Sequence, residues 1–247
     1  MKKVTCLKKE TEDVLDEANN LCESDRDLEA EVLVKKQMAN DPENLELHTK
    51  LAYIQSRLCR DSEAETTFRF VISRNSAIED AVCGLGRLLD QSLRTEEAEK
   101  LYRDFLSNNP PGHCAFEDLC RLLLSEGRAD EALAIARKHA ELYGNQIHAF
   151  DGIRYVLHIL EDQLKSDFDD NPENETVFFS LLDTLFEQLD VVSKIEESVE
   201  IPEPLRPDLA DDRIRLLGDI SELLQSASRR SIPVPDEYKK RFSSYNQ

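Results

Sequence analysis

The chain has 247 residues and a formal net charge of −20, from 51 acidic and 31 basic side chains, with seven glycines and no tryptophan. Charged residues make up 33% and aromatics 6%, the composition of a helix-rich chain rather than of a sandwich or barrel. So acidic a chain repels nucleic acid, and no run reaches the roughly eighteen apolar residues of a membrane span. Neither is expected as a partner.

The opening residues, MKKVTCLKKETEDVL, lack the apolar core of a secretory signal, so a cytoplasmic location is expected. Residues 1–10 are read as a basic tail. Six cysteines, at 6, 22, 59, 83, 114 and 120, form no C-x-x-C pair and fall within helical patterns, so they are expected as reduced thiols. His113, Cys114 and Cys120 lie near one another in sequence, but they lack a fourth ligand and a recognised zinc spacing. They are read as packing residues, and no metal or cofactor is expected.

From residue 11 a period emerges. Arg26, Glu29 and Ala30 return as Arg60, Glu63 and Ala64, then as Arg94, Glu97 and Ala98, then as Arg128, Glu131 and Ala132, each 34 residues on. Small residues keep the same register at Ala18, Ala52, Gly86 and Cys120, preceded by Leu51, Leu85 and Leu119. Val34, Phe68 and Tyr102 follow their alanines by four residues, and Pro42, Ser76, Pro110 and Gly144 close the units. A fixed period of this length marks stacked helix pairs, neither helix of which can bury its apolar stripe alone. Each Glu before an alanine falls in the first turn of a second helix, where the dipole favours a carboxylate. Each Arg is placed at the end of a first helix, and Asp61 and Thr95 are expected to cap second helices.

These residues resemble the tetratricopeptide repeat family. The resemblance covers 11–44, 45–78, 79–112 and 113–146 as four units, continued by an extended helix over 147–168. It departs at Glu17, where other units carry Leu or Ile, and at Arg154, where the fifth unit lacks the small residue. It implies an all-α fold: a right-handed superhelical solenoid of antiparallel helix pairs with a C-terminal helical cap.

Beyond the repeats, SDFDDNPENE reads as a turn, and without the glycine and closing glutamate of a calcium loop it is not taken as one. Val177 to Val192 and Ile214 to Leu224 then mark an acidic helix pair within 169–230, expected to cover the open end of the array or to dock on a second subunit or client. Residues 161–212 carry 17 acidic and three basic side chains, and residues 213–247 four and seven. The acidic stretch is read as a solvated surface, with a basic partner or the chain's own basic tail, 231–247, as the alternative.

In the resembling family the first helices line a concave wall. Two rows would then face it: Thr49, Cys83, Glu117 and Asp151, and Tyr53, Arg87, Arg121 and Tyr155. The second row suits a peptide, since guanidinium forks hold carboxylates or carbonyls and tyrosines add apolar area. The competing reading pairs Arg87 and Arg121 with Glu117, Asp118 or Asp90. The lysine and asparagine set that grips chaperone tails in this family is missing, for Thr49, Tyr53, Gly84, Cys114 and Asp118 stand in its places. No phosphate loop, nucleophile elbow or H-E-x-x-H motif is present, so no enzyme is expected. The expected role is a protein or peptide binding module, an adaptor, co-chaperone-like protein or assembly scaffold. The alternative is a structural component that forms homo-oligomers through its C-terminal helices.

Overall fold

The structure, a computed structural model, describes the backbone of residues 2–143, 147–197 and 205–245 and the side chains of residues 9–142, 152–197 and 208–245. Among the described residues there are twelve α-helices. They are α1 (Lys2–Glu23), α2 (Asp27–Met38), α3 (Leu45–Arg57), α4 (Asp61–Arg74), α5 (Glu79–Gln91), α6 (Thr95–Asn108), α7 (His113–Ser125), α8 (Ala129–Tyr143), α9 (Ile147–Asp170), α10 (Glu175–Glu196), α11 (Leu205–Arg230) and α12 (Asp236–Tyr245). The residues group into two compact units, Met1–Leu122 and Leu123–Gln247, with the boundary inside α7.

In the first unit α1 packs on α2, α3 on α4 and α5 on α6. The repeating alanines occupy the seams of these pairs. Ala30, Ala64 and Ala98 are fully buried, as are Ala18 and Ala52 on the first helices. Val34, Phe68 and Tyr102, one turn further along, are buried as well, each contributing roughly 1.5–3 kcal/mol by leaving water. Ala18, Cys22, Ala30, Val34, Leu47, Leu51 and Ile54 form one continuous cluster that joins the first repeat to the second.

The turn between paired helices is the same each time. Asp25, Cys59 and Leu93 take φ of 56°, 58° and 60°, and Gly127 in the second unit takes 73°. Behind them the amides of Arg26, Arg60, Arg94 and Arg128 donate to the carbonyls of Leu21, Gln55, Leu89 and Leu123 at 2.8–2.9 Å. This six-to-one bond after a left-handed residue satisfies carbonyls that the first helix would otherwise leave open. The same four arginine carbonyls accept from the amides of Ala30, Ala64, Ala98 and Ala132 at 3.0–3.1 Å. Each arginine therefore starts the second helix rather than ending the first. Asp61 and Thr95 are the first helical residues, and no side-chain cap bond is made at Arg60 or Arg94. Instead the arginine reaches the glutamate three residues on, as Arg26 does with Glu29, Arg94 with Glu97 and Arg128 with Glu131.

Neighbouring repeats meet differently on their two sides. The first helices approach backbone to backbone, α1 on α3 and α3 on α5. The second helices are bridged by long side chains: Arg60 to Glu31 at 2.9 Å and Arg94 to Glu65 at 2.8 Å. Within this unit the first helices therefore form the tighter, inner wall.

In the second unit α8 packs on α9, α9 on α10 and α10 on α11. Ala132 and Ala136 are fully buried on α8, and Val156 and Leu157 on α9. Helix α9 runs through the stretch 147–168 and two residues beyond it, and α10 and α11 lie within 169–230. Glu161 of α9 is buried among them, accepting from Lys165 at 2.6 Å, Gln188 at 2.7 Å and Arg215 at 2.8 Å.

Two segments read as tails are helical. Residues 2–10 belong to α1, and α12 lies within the expected basic tail. Tyr238 of α12 donates to Asp183 at 2.9 Å and Arg241 to Asp190 at 2.5 Å, both on α10. The Arg241 guanidinium also covers the Phe186 ring at 4.7 Å. Part of the acidic stretch is thus held by the chain's own basic end.

Candidate functional site

The expected site residues of the first unit sit on α3, α5 and α7, one turn apart along each helix. Adjacent first helices face each other at an offset of 31 residues: Lys50 reaches Asn19, and Arg87 reaches Asp118. That offset, three less than the repeat, brings each side chain to the preceding turn of the next first helix.

Arg87 is the centre of the cluster. Its Nε donates to both Asp118 oxygens, at 2.8 and 3.1 Å, and its Nη2 lies 3.4 Å from Cys114 Sγ. Arg121 donates to the same carboxylate at 2.6 Å from one turn further along α7, and the Tyr102 hydroxyl lies 3.4 Å from it. Asp118 is 3% exposed, whereas the Arg87 and Arg121 side chains keep 42% and 49% of their surface in water. One buried negative charge thus sits beneath two half-exposed positive ones.

Tyr53 closes one flank. Its ring packs edge-on against Phe68 at 5.1 Å, and its hydroxyl donates to the Asp80 carbonyl at 2.6 Å. Burial raises its pKa above the usual phenol range, with Arg87 pulling the other way, so it stays a neutral donor. Glu117 is exposed on the same face of α7.

Of the other row, Glu117 is exposed but Thr49 and Cys83 are covered. Thr49 is buried and its hydroxyl donates to the Leu45 carbonyl at 2.8 Å, and Cys83 is fully buried. Neither presents an atom to a partner in this arrangement. Tyr155 lies in the second unit, 37% exposed on α9, and the side chain of Asp151 lies outside the described residues.

Sequence spacing placed Cys114 with His113 and Cys120. The structure instead sets it beside Cys83 and Asp118, with the two sulfurs and a carboxylate oxygen all within 4.8 Å of one another. Cys120 is buried elsewhere in α7, its thiol pushed up to about 12 by burial. Cys83 and Cys114 are 31 residues apart, so the offset that pairs Arg87 with Asp118 would have found them.

No family model matches the chain, and no curated protein matches it either. Solved structures do. One reported for the functional characterisation of Pseudomonas aeruginosa pilF aligns with a TM-score of 0.50 at 15% identity, over 96% of this chain and 99% of that one. A monomeric mutant of IFIT1 with m7Gppp-AAAA aligns with a TM-score of 0.51 at 16% identity, over 90% of this chain and 50% of that one. A tetratricopeptide repeat protein from Parabacteroides merdae aligns over 97% of this chain and all of that one, at 17% identity and a TM-score of 0.47. Identities this low speak to fold alone. Among the described residues no helix is long and apolar enough to cross a membrane.

Proposed function

Starting from a tetratricopeptide-repeat fold, which the 34-residue period, the buried alanine seams and the solved structures establish together, we propose that the chain is a non-catalytic binding module. Its inner wall holds a segment of a protein partner, as an adaptor or assembly scaffold does. The observation that carries this reading is the Arg87–Asp118–Arg121 cluster. Two guanidiniums, each with donors beyond those spent on the one buried carboxylate they share, keep 42% and 49% of their side-chain surface exposed. Such donors suit a carboxylate or a row of backbone carbonyls, and Tyr53 supplies a flat apolar flank beside them. Glu117 at the rim would set orientation more than affinity. Tyr155 and Asp151, on α9 of the second unit, are proposed as partner-binding residues separately from this cluster.

The test uses Arg121→Ala in the full chain. Asp118 keeps its two bonds from Arg87 in this variant, so the fold is retained, whereas removing both arginines would strand a buried charge. A partner retained by the parent chain should bind the variant about tenfold or more weakly, the cost of one charged contact of roughly 1.5–3 kcal/mol. Unchanged binding would remove the inner wall from consideration.

A second reading, self-association through the C-terminal helices, has its own observation: Ile214 on α11 is 69% exposed. Light scattering of Ile214→Glu separates the two, since loss of an oligomer with partner binding intact favours the structural role.

A further inference from the structure

The inner wall carries a second chemistry that a binding role does not use. Cys83 on α5 and Cys114 in the first turn of α7 bring their sulfurs within 4.8 Å of each other. Their surroundings are unequal. Cys83 is fully buried, while Cys114 is partly exposed. Arg87 Nη2 stands 3.4 Å from the Cys114 sulfur. A thiol that is reachable, beside a cation and next to a second thiol has the arrangement of a reversibly oxidised pair.

From this geometry we infer that Cys83 and Cys114 are a redox modification site, in which Cys114 reacts with a hydroperoxide and Cys83 resolves the product to a disulfide between α5 and α7. In the first step the Cys114 thiolate attacks the terminal oxygen of the hydroperoxide. The O–O bond breaks, a sulfenic acid forms, and the alkoxide leaves with a proton from water. In the second the Cys83 sulfur attacks the Cys114 sulfur, the S–O bond breaks, and water leaves with the Cys83 proton. Two thiols lose two electrons and two protons, and the hydroperoxide becomes an alcohol and water.

The electrostatics run the same way. The neighbouring thiol of Cys83 lowers the Cys114 pKa while Cys114 and burial raise that of Cys83, and Arg87 lowers Cys114 further. Burial, Asp118 and Glu79 oppose this at Cys114 without reversing it. Asp118 is already engaged by Arg87 and Arg121, and Glu79 accepts the Ala115 amide at 2.9 Å. The same engagement argues against a metal. Asp118 would have to leave both arginines and the Tyr102 hydroxyl to become a ligand, and two sulfurs alone do not fill a tetrahedral site. The other described cysteines lack this setting: Cys22 and Cys120 are buried with raised pKa values, and Cys59 is exposed in a turn.

Oxidation would tie the first helices of two adjacent repeats together and convert the thiol that Arg87 faces to a disulfide sulfur. The inference does not depend on the wall binding a partner.

The test is made on the reduced full chain. Hydrogen peroxide should produce a Cys83–Cys114 linked peptide and an intact mass lower by two hydrogens, both reversed by dithiothreitol. In Cys83→Ser, sulfenic acid trapped by dimedone should form at Cys114 about tenfold faster than at Cys59, although Cys59 is the more exposed, and urea should erase that difference. Arg87→Gln, which leaves Asp118 paired with Arg121, should slow Cys114 several-fold without changing Cys59. Faster reaction at Cys59, or oxidation of Cys114 without a link to Cys83 in the parent chain, would overturn the inference. So would one zinc ion per purified chain that is lost in Cys83→Ser, which would assign the pair to a metal instead.

Discussion

Gly86 on α5 lies under the ring of Tyr102 on α6: a Cβ at residue 86 would stand 2.2 Å from Tyr102 Cζ and 2.3 Å from its hydroxyl oxygen. The first two repeats hold Ala at this place against Val34 and Phe68, and the third trades one methyl for a larger ring. Gly86→Ala should therefore destabilise the first unit by about 1–3 kcal/mol, the usual cost of overpacking. Combining it with Tyr102→Val, which restores the Ala18 and Val34 pairing of the first repeat, should cost less than the sum of the single changes, by at least about 0.5 kcal/mol. Urea unfolding of the four proteins measures both.

The left-handed turn residues offer a cleaner backbone test. Leu93 has φ of 60° and is 90% exposed, so its side chain gives little and its conformation costs roughly 1–2 kcal/mol. Leu93→Gly should stabilise by about 0.5–1 kcal/mol after the extra entropy glycine loses on folding. Gly127 is the mirror case, with φ of 73° and nothing within 4 Å of an added Cβ. Gly127→Ala should destabilise by about 1 kcal/mol through the backbone alone.

These turns also show where sequence reasoning stops. The alanine seams were legible because a small residue recurs every 34 positions wherever two backbones touch. The turns were not, because Asp25, Cys59 and Leu93 stand where glycine would have announced a helix end, and a six-to-one bond holds them there. Helix α12 escaped notice for another reason. It has ten residues and none of them is buried, so its order depends on Asp183, Phe186 and Asp190 more than forty positions earlier. Of the site, Arg87 and Arg121 were legible as a row, and Asp118 was among their foreseen partners. The burial of Thr49 and Cys83 was not legible, since periodicity gives the face of a helix but not how closely the next helix covers it.

Glu161 makes the stability of the second unit depend on acid. Burial alone would raise its pKa, but the donors Lys165, Gln188 and Arg215 outweigh burial and hold it below the ordinary 4.5. A carboxylate with a lowered folded pKa stabilises fully above the unfolded value and loses that contribution as pH falls through the folded one. Denaturant midpoints should fall as pH drops below about 4.5. Glu161→Gln should cost about 1–3 kcal/mol at neutral pH, since Lys165 and Arg215 can turn to water, and should flatten the acid limb.

Helix α12 is held by charge and one aromatic face. Burial, then the bond to Asp183, pushes the Tyr238 hydroxyl up to about 12. Arg241 pairs with Asp190 while both remain 38% exposed, a geometry that salt screens. Amide exchange over residues 236–245 should quicken in about 1 M salt, where the Debye length falls to roughly 3 Å, with α10 unchanged. Equal protection at low and high salt would assign the docking to the rings of Phe179, Phe186 and Tyr238 instead.

The proposed binding wall is tested most directly by photo-crosslinking. A benzophenone side chain is placed at Glu117, on the inner face of α7, or at Lys100, on the outer helix α6, in the parent chain and in Arg121→Ala. Capture of one partner from residue 117 and not from residue 100, reduced about tenfold by Arg121→Ala, is the expected result. Equal capture from both positions, or capture indifferent to Arg121, would contradict it.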